Sequence, residues 1–196
     1  MRIKQLFLTL VLLFTMVQGA WAQDSWDDVY AMTGSGRNDW TAINYYEGST
    51  TGKTLGVAGA TKYYYVTTSI SFTNSTAGGS GLTILGTVYL FVPYGVTVTC
   101  EGANASGRTG AGAGIEVAAG NALYLIGQGS VIATGGNAAG GSNGTNGTDA
   151  NWDSSNYWSG QGGNGGDGGG GAGAGIGTPG GTGGKGGAGA ASTVSA

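Results

Sequence analysis

Two stretches decide the predicted fold: Val92-Pro-Tyr-Gly-Val-Thr-Val-Thr-Cys-Glu-Gly102 and Val117-Ala-Ala-Gly-Asn-Ala-Leu-Tyr-Leu-Ile-Gly127. Their first valines, their inner glycines and their closing glycines each stand 25 residues apart. In both stretches a strand, a glycine turn and a second strand follow in the same order. Repeats with a period between about 20 and 50 residues are typical of stacked solenoids. The sequence therefore predicts an all-β fold, a right-handed parallel β-helix or solenoid with coils of about 25 residues.

Alternating apolar residues extend this pattern over residues 66–135, which we interpret as the solenoid coils. With a period of two, Val96, Val98 and Cys100 share one face of a strand. Cys100 is therefore expected to be a small core residue rather than a reactive thiol, because burial raises a thiol pKa. The same alternation predicts one core made of Val88, Leu90, Val92, Val96, Val98, Ile115, Val117, Leu123, Leu125 and Val131.

Glycine dominates the second half of the chain, and the protein has 45 glycines in all. Residues 136–170 are almost entirely Gly, Asn, Ser, Thr and Asp, so we expect a long polar loop, because little apolar surface offsets the entropy of ordering it. Gly171-Ala-Gly-Ala-Gly-Ile176 then repeats Gly110-Ala-Gly-Ala-Gly-Ile115 letter for letter. Residues 171–196 are interpreted as a partial return of the coil pattern without a C-terminal cap, as in the N-terminal part of a longer protein.

Residues 1–22 have the features of a signal peptide. Arg2 and Lys4 precede an apolar run, and Ala20-Trp21-Ala22 is an A-x-A cleavage signal. The apolar run is too short to span the roughly 30 Å hydrocarbon core of a bilayer. We therefore expect a secreted or cell-surface protein of a bacterial envelope, with no membrane span after cleavage.

Residues 23–65 form an aromatic segment with two interpretations. Its rings could cover the open end of a solenoid, as terminal repeats do. They could instead form a platform on which sugar rings stack.

Composition argues against an enzyme and against nucleic-acid binding. Charged residues make up 9% of the chain, the net charge is −3, there is no His, and Cys100 is the single cysteine. Clustered Lys and Arg, which nucleic-acid binding requires, are missing. Residues 48–54 resemble a phosphate-binding loop with one residue too few between the glycines, so no nucleotide is expected. Glu101 and Glu116 are the carboxylates of the coil region, and they lack the arrangement of a glycosidase pair.

One short motif raises the question of calcium. Gly162-Gly-Asn-Gly-Gly-Asp167 fits the first six positions of the calcium-binding nonapeptide, which makes Asp167 the candidate ligand. The large apolar residue expected two places later is Gly169, and no tandem copy follows. We therefore expect no cofactor, with calcium at Asp167 as the alternative.

Five segments together resemble glycine-rich, parallel β-helix-like repeats of bacterial cell-surface and adhesin-like proteins. They are Gly79-Ser-Gly-Leu-Thr-Ile84, Val92-Pro-Tyr-Gly-Val-Thr-Val98, Gly102-Ala-Asn-Ala-Ser-Gly107, Gly110-Ala-Gly-Ala-Gly-Ile115 and Ala133-Thr-Gly-Gly-Asn137. The resemblance covers roughly residues 63–190. It implies a structural or adhesive role, and in some related modules the binding of plant or host polysaccharides. It carries over no catalytic residue.

Three functions therefore compete. The first is an exported structural or adhesive surface module, the second a non-catalytic carbohydrate-binding module, and the third a polysaccharide lyase or hydrolase. Any ligand, a polysaccharide or host glycan, is expected at the glycine-rich loop, where rings stand beside short acids: Trp152, Tyr157, Trp158, Asp149 and Asp153. On the strands, Tyr89, Phe91 and Tyr124 are further candidates, with internal packing as the alternative role.

Overall fold

The computed structural model describes residues 26–43, 52–148, 152–153, 156–157 and 161–189. The predicted signal peptide, residues 1–22, lies outside the described residues, as do the predicted ligand residues Asp149 and Trp158. The predicted lack of a C-terminal cap concerns residues 190–196, which also lie outside them.

The described chain contains two short helices followed by eleven strands. The helices are α1 (Trp26–Thr33) and a 3-10 helix (Arg37–Asp39). The strands are β1 (Trp40–Ile43), β2 (Lys53–Val66), β3 (Ile70–Thr73), β4 (Leu82–Phe91), β5 (Thr97–Glu101), β6 (Ile115–Val117), β7 (Ala122–Ile126), β8 (Ser130–Thr134), β9 (Trp152–Asp153), β10 (Asn156–Tyr157) and β11 (Ile176–Gly177).

The largest sheet, called here the main sheet, has the order β1-β2-β4-β6-β11, and β7 also pairs with β4. All of its strand pairs are parallel. Because β4 has ten residues, β6 pairs beside residues 82–84 and β7 beside residues 87–91. The long strand β4 therefore positions two later segments of the chain.

A second sheet contains β3, β5 and β8, which are also parallel. The chain enters this sheet three times, after β2, after β4 and after β7. A separate antiparallel pair, β9 and β10, places Trp152 beside Tyr157 and Asp153 beside Asn156 as Cα partners.

The hydrophobic core lies between the main sheet and the second sheet. Alternate residues of β4, namely Leu82, Ile84, Val88 and Leu90, point into it and are fully buried. From the second sheet, Val98 and Cys100 are fully buried in the same cluster, so the prediction of Cys100 as a core residue is confirmed. Of the remaining predicted core residues, Val92 and Ile115 are buried, and Val96, Val117, Leu123 and Val131 are partly buried against the cluster.

Leu125 does not belong to this core. Its side chain is 43% exposed, although its register partner Leu90 is fully buried. The reason is that β7 pairs with β4 on one side, while no strand of the described chain pairs with its other side. The inclusion of Leu125 in the predicted core is therefore wrong.

The predicted right-handed β-helix with 25-residue coils is also wrong. Paired residues are not 25 positions apart: Leu82 lies beside Ile115 and Tyr89 beside Tyr124, at separations of 33 and 35 residues. The two parallel sheets are open and separate rather than closed into a solenoid. The chain is mostly parallel β-sheet with few helices, and α1 lies on one face of the main sheet. This arrangement is of the α/β type rather than that of a β-helix.

The physical reason is that strand pairing, not turn spacing, sets the register. Glycines recur every 25 residues because both stretches need turns between short strands. Pairing instead follows the inward side chains, since a shift by one residue would turn every apolar side chain of a strand away from the core.

The glycine-rich region is more regular than the predicted loop. The amides of Ala139, Ser142, Thr145 and Thr148 donate to the carbonyls of Gly170, Asp167, Asn164 and Gln161, at 3.0, 2.8, 2.9 and 2.8 Å. The amides of Gly165, Gly168 and Gly171 likewise donate to Gly187, Gly184 and Gly181, each at 2.8 Å. Hydrogen bonds at every third residue match the period of extended, polyproline II-type segments.

These segments lie close together because glycine has no side chain. A Cβ at Gly166 would overlap the carbonyl oxygen of Ser142 in the neighbouring segment. Composition alone led to the prediction of a loop, since it records little apolar surface. The hydrogen bonds between neighbouring backbones supply the order that apolar burial does not.

The two identical hexapeptides lie side by side. Ile176 is the parallel partner of Ile115, and the amide of Ile115 donates to the carbonyl of Gly175 at 2.8 Å. In the described part of the chain, no helix is long and apolar enough to cross a membrane.

Candidate functional site

The aromatic segment packs on the outer face of the main sheet through α1. Trp26, Val29, Tyr30 and Thr33 recur at helical spacing on one side of this helix. The ring of Trp26 meets Tyr65 of β2 edge-on at 5.0 Å between centroids, and it meets Phe91 of β4 at 5.1 Å. Val29 is 1% exposed, so α1 is anchored to the sheet by an apolar side.

A tight turn after α1 positions the side chains of Arg37 and Trp40. The helix ends at Thr33, and the next residue, Gly34, has a φ of +66°, which glycine readily adopts, while its amide donates to the Tyr30 carbonyl at 2.9 Å. The carboxylate of Asp39 accepts a 2.7 Å hydrogen bond from the Gly36 amide. This turn places Arg37 in the 3-10 helix next to Trp40.

Trp40 is held in a fixed orientation. Its indole Nε1 donates to the hydroxyl of Ser35 at 2.7 Å, and its ring is 8% exposed. Trp40 is therefore a largely buried part of the cleft wall, and its orientation needs no further ordering when a ligand binds.

A cleft remains between α1, the turn and β2. Its lining residues are Trp26, Tyr30, Arg37, Trp40 and Tyr65. Its volume is about 150 Å³. Sites for drug-sized ligands measure about 300–1,000 Å³, so this cleft admits one ring-sized group. Arg37 is exposed and Trp26 is 37% exposed, which leaves the cleft open to solvent.

The lining has a specific chemistry. Four aromatic rings and one guanidinium line the cleft. Trp26 and Tyr30 are stacked on each other with 5.5 Å between centroids, so a ligand ring meets their outer surfaces, and the guanidinium offers hydrogen-bond donors. Within the part of the chain that the structure describes, no group of three or more His, Cys, Asp or Glu side chains is placed to hold a metal ion. The arrangement is suited to binding a ring.

A line of contacting rings runs from the cleft across the main sheet. Trp40 lies 5.3 Å from Tyr63, Tyr63 lies 5.0 Å from Tyr89, and Tyr89 lies 4.6 Å from Tyr124, measured between centroids. The tyrosines stack because parallel pairing sets them in register. Tyr124 is 50% exposed at the end of the line.

The three strand residues predicted as further ligand candidates, Tyr89, Phe91 and Tyr124, differ in their environment. Phe91 is 4% exposed beneath α1, and Tyr89 is partly buried between two other rings, so both pack internally. Tyr124 is the strand candidate with an open face. Packing against α1 accounts for Phe91, and stacking between Tyr63 and Tyr124 accounts for Tyr89.

The loop candidates are not brought to this cleft by the described contacts. Trp152, Asp153 and Tyr157 lie in the β9–β10 pair, while Asp149 and Trp158 lie outside the described residues. The prediction of a ligand site at this loop therefore stays a prediction.

Asp167, the calcium candidate, has a structural partner. One of its carboxylate oxygens accepts the amide of Gly186 at 2.7 Å, and its own amide donates to the Ser142 hydroxyl at 2.8 Å. Both bonds join neighbouring glycine-rich segments, and the bond to the carboxylate accounts for an Asp at this position.

The two carboxylates of the coil region, Glu101 and Glu116, lie on strands, and Cys100 lies in the core. Glu116 accepts a long hydrogen bond, 3.4 Å, from the Thr83 hydroxyl on the neighbouring strand, and Glu101 is exposed in the second sheet. Burial raises the pKa of the Cys100 thiol to about 12, so it is a protonated core group rather than a nucleophile.

The sequence left two interpretations of the aromatic segment, a cover for the solenoid end and a platform for sugar rings, and it did not predict the cleft. The signal that could have found it is Arg37, because it is the single cation between Gln23 and Lys53, in the most aromatic part of the chain. No protein-family model, curated protein or solved structure matches the chain.

Proposed function

We propose that this protein is an exported, non-catalytic adhesive module of a bacterial surface that binds carbohydrate in the aromatic cleft. The observation that carries this proposal is a solvent-open cleft of about 150 Å³ walled by Trp26, Tyr30, Trp40 and Tyr65. Aromatic rings bind sugars because the apolar face of a pyranose stacks on them while its hydroxyls point outward to polar groups. The size of the cleft favours one sugar unit at a time.

Three features support an exported binding role. The predicted signal peptide at residues 1–22 directs the chain out of the cytoplasm. The scaffold beneath the cleft is well anchored, since residues 61–65 of β2 pair continuously with β4 and Phe91 is buried under α1. The sequence contains no His, the commonest catalytic base.

Binding of the mature chain, beginning at Gln23, to a glycan array tests this proposal. Affinities for the saccharides that bind are then compared between wild type, Trp26→Ala and Trp26→Tyr. We expect Trp26→Ala to weaken binding at least tenfold and Trp26→Tyr to retain most of it, because a ring face remains. Met32→Ala is the matched control, since Met32 lies on the same helix, is 69% exposed and does not line the cleft.

Trp26 also packs on the sheet, so thermal unfolding is measured for each variant. A folded Trp26→Ala protein that binds as tightly as wild type would contradict the cleft as the binding site. Wild type that binds no saccharide on the array would contradict the proposed function itself.

A further inference from the structure

We propose that the ligand of the cleft carries a carboxylate or sulfate group, which the guanidinium of Arg37 binds. This inference rests on the proposed function and adds the charge of the ligand to it. The hydroxyls of a neutral sugar accept hydrogen bonds from polar groups of any kind, whereas an anion also gains from a positive charge. The presence of a guanidinium at the same cleft is the feature that the ring surfaces do not explain.

The charge of Arg37 is not neutralised by an ion pair within the described chain. No ion pair joins Arg37 to an acidic residue in the described part of the chain. The nearest carboxylate in sequence, Asp39, accepts the Gly36 amide at 2.7 Å. Asp27 follows Trp26 on α1, is exposed, and does not line the cleft.

None of the other basic residues of the described chain lines the cleft, namely Lys53, Lys62, Arg108 and Lys185. Arg108 donates through its Nε to the carbonyl of Gly183 at 2.9 Å. Lys62 is exposed on β2 and does not line the cleft. The chain has a net charge of −3, so it repels anions in general. The positive charge of Arg37 beside the four rings makes the cleft a place where an anionic ligand is attracted instead.

The shape of the Arg37 guanidinium also suits an anionic group. Guanidinium groups bind carboxylates and sulfates through two parallel N–H bonds, which fix orientation as well as supply energy. A uronic acid or a sulfated sugar presents such an anion beside a pyranose ring of the size that the cleft admits. Stacking on Trp26 and Tyr30 and a forked bond to Arg37 would then act on adjacent parts of one sugar unit.

Matched polymers test this inference with the mature chain. Polygalacturonate is compared with its fully methyl-esterified form, which keeps the sugar and loses the charge, and dextran sulfate is compared with dextran. The first pair reports carboxylate binding and the second reports sulfate binding. We expect the charged member of at least one pair to bind at least tenfold tighter in 50 mM salt, with the difference shrinking in 500 mM salt because the attraction is screened.

Three variants test whether the preference for the charged polymer depends on Arg37. Arg37→Met should remove the preference for the charged polymer and leave weak, equal binding of both members. Arg37→Lys should keep part of the preference, because the charge remains and the fork is lost. Lys62→Met is the control and should behave as wild type.

The outcomes separate the two claims. Equal binding of charged and neutral polymers, or an unchanged preference in Arg37→Met, would overturn the inference about Arg37. Binding of neutral array glycans without binding of either charged polymer would also overturn it while leaving the proposed function standing. Failure of wild type to bind any saccharide would overturn both.

Discussion

The ring of Tyr124 lies parallel to the ring of Tyr89, with 4.6 Å between their centroids and 12° between their planes. The stack forms because β4 and β7 are parallel and these residues are register partners. One face of the Tyr124 ring meets Tyr89, and half of the side chain is exposed.

The first prediction concerns this stack. Aromatic pairs contribute about 0.5–1.5 kcal/mol beyond their buried area. We expect Tyr124→Ala to lower the free energy of unfolding by about 1 kcal/mol and Tyr124→Phe to leave it nearly unchanged, as measured by urea denaturation. A Tyr124→Ala protein as stable as wild type would show that the stack contributes nothing.

The second prediction compares two leucines that are register partners. Leu90 is fully buried, whereas Leu125 is 43% exposed on β7. Leu90→Ala should destabilise the fold by about 2–5 kcal/mol, because it leaves a cavity. Leu125→Ala should cost less than about 1 kcal/mol. Equal losses in urea denaturation would mean that β7 is covered in solution.

The third prediction concerns Cys100. Its thiol has a pKa raised from 9.0 to about 12 by burial. A pKa raised by folding stabilises the native state below the unfolded pKa, and that contribution is lost as pH rises from 9.0 towards 12. We expect the stability of wild type to fall more steeply above pH 9 than that of Cys100→Ala, which lacks the thiol.

Thiol labelling gives a second check on Cys100. At pH 8 the native protein should react with a thiol reagent far more slowly than the unfolded protein. Equal labelling rates would place Cys100 at the surface.

The fourth prediction tests the order of the glycine-rich segments. A Cβ at Gly166 would overlap the carbonyl of Ser142, whereas a Cβ at Gly184 meets nothing within 4 Å. Gly166→Ala should raise the hydrogen-exchange rate of the Ser142 amide at least about tenfold, equivalent to about 1.4 kcal/mol. Gly184→Ala is the matched control and should leave that rate nearly unchanged. Fast exchange of this amide in wild type would show instead that the segments are not ordered.

Some features of this structure can be predicted from the sequence, and others cannot. Alternation in residues 96–100 predicted which side of β5 is buried, since strand periodicity is a local property. The pairing of β4 with both β6 and β7 was not predictable from the 25-residue spacing, because it depends on the length of β4 and on contacts between distant segments. Composition concealed the order of residues 139–148, where backbone hydrogen bonds replace apolar burial.

The cleft is concealed for a similar reason. Its lining comes from α1, from the turn that holds Arg37, and from Tyr65 at the end of β2. No short motif contains these residues together. The sequence showed that the region is aromatic, but the assembly of a ring-lined cleft around a cation depends on how α1 packs on the main sheet.

The most direct test of the central claim is a two-dimensional NMR titration of the mature chain with the saccharide that binds most tightly on the array. The indole N–H signals of Trp26, Trp40, Trp152 and Trp158 are assigned through single Trp→Phe variants. Binding in the cleft predicts that the signals of Trp26 and Trp40 shift with the saccharide concentration while those of Trp152 and Trp158 stay in place. Shifts confined to Trp152 and Trp158 would contradict the account and assign the binding site to the glycine-rich loop.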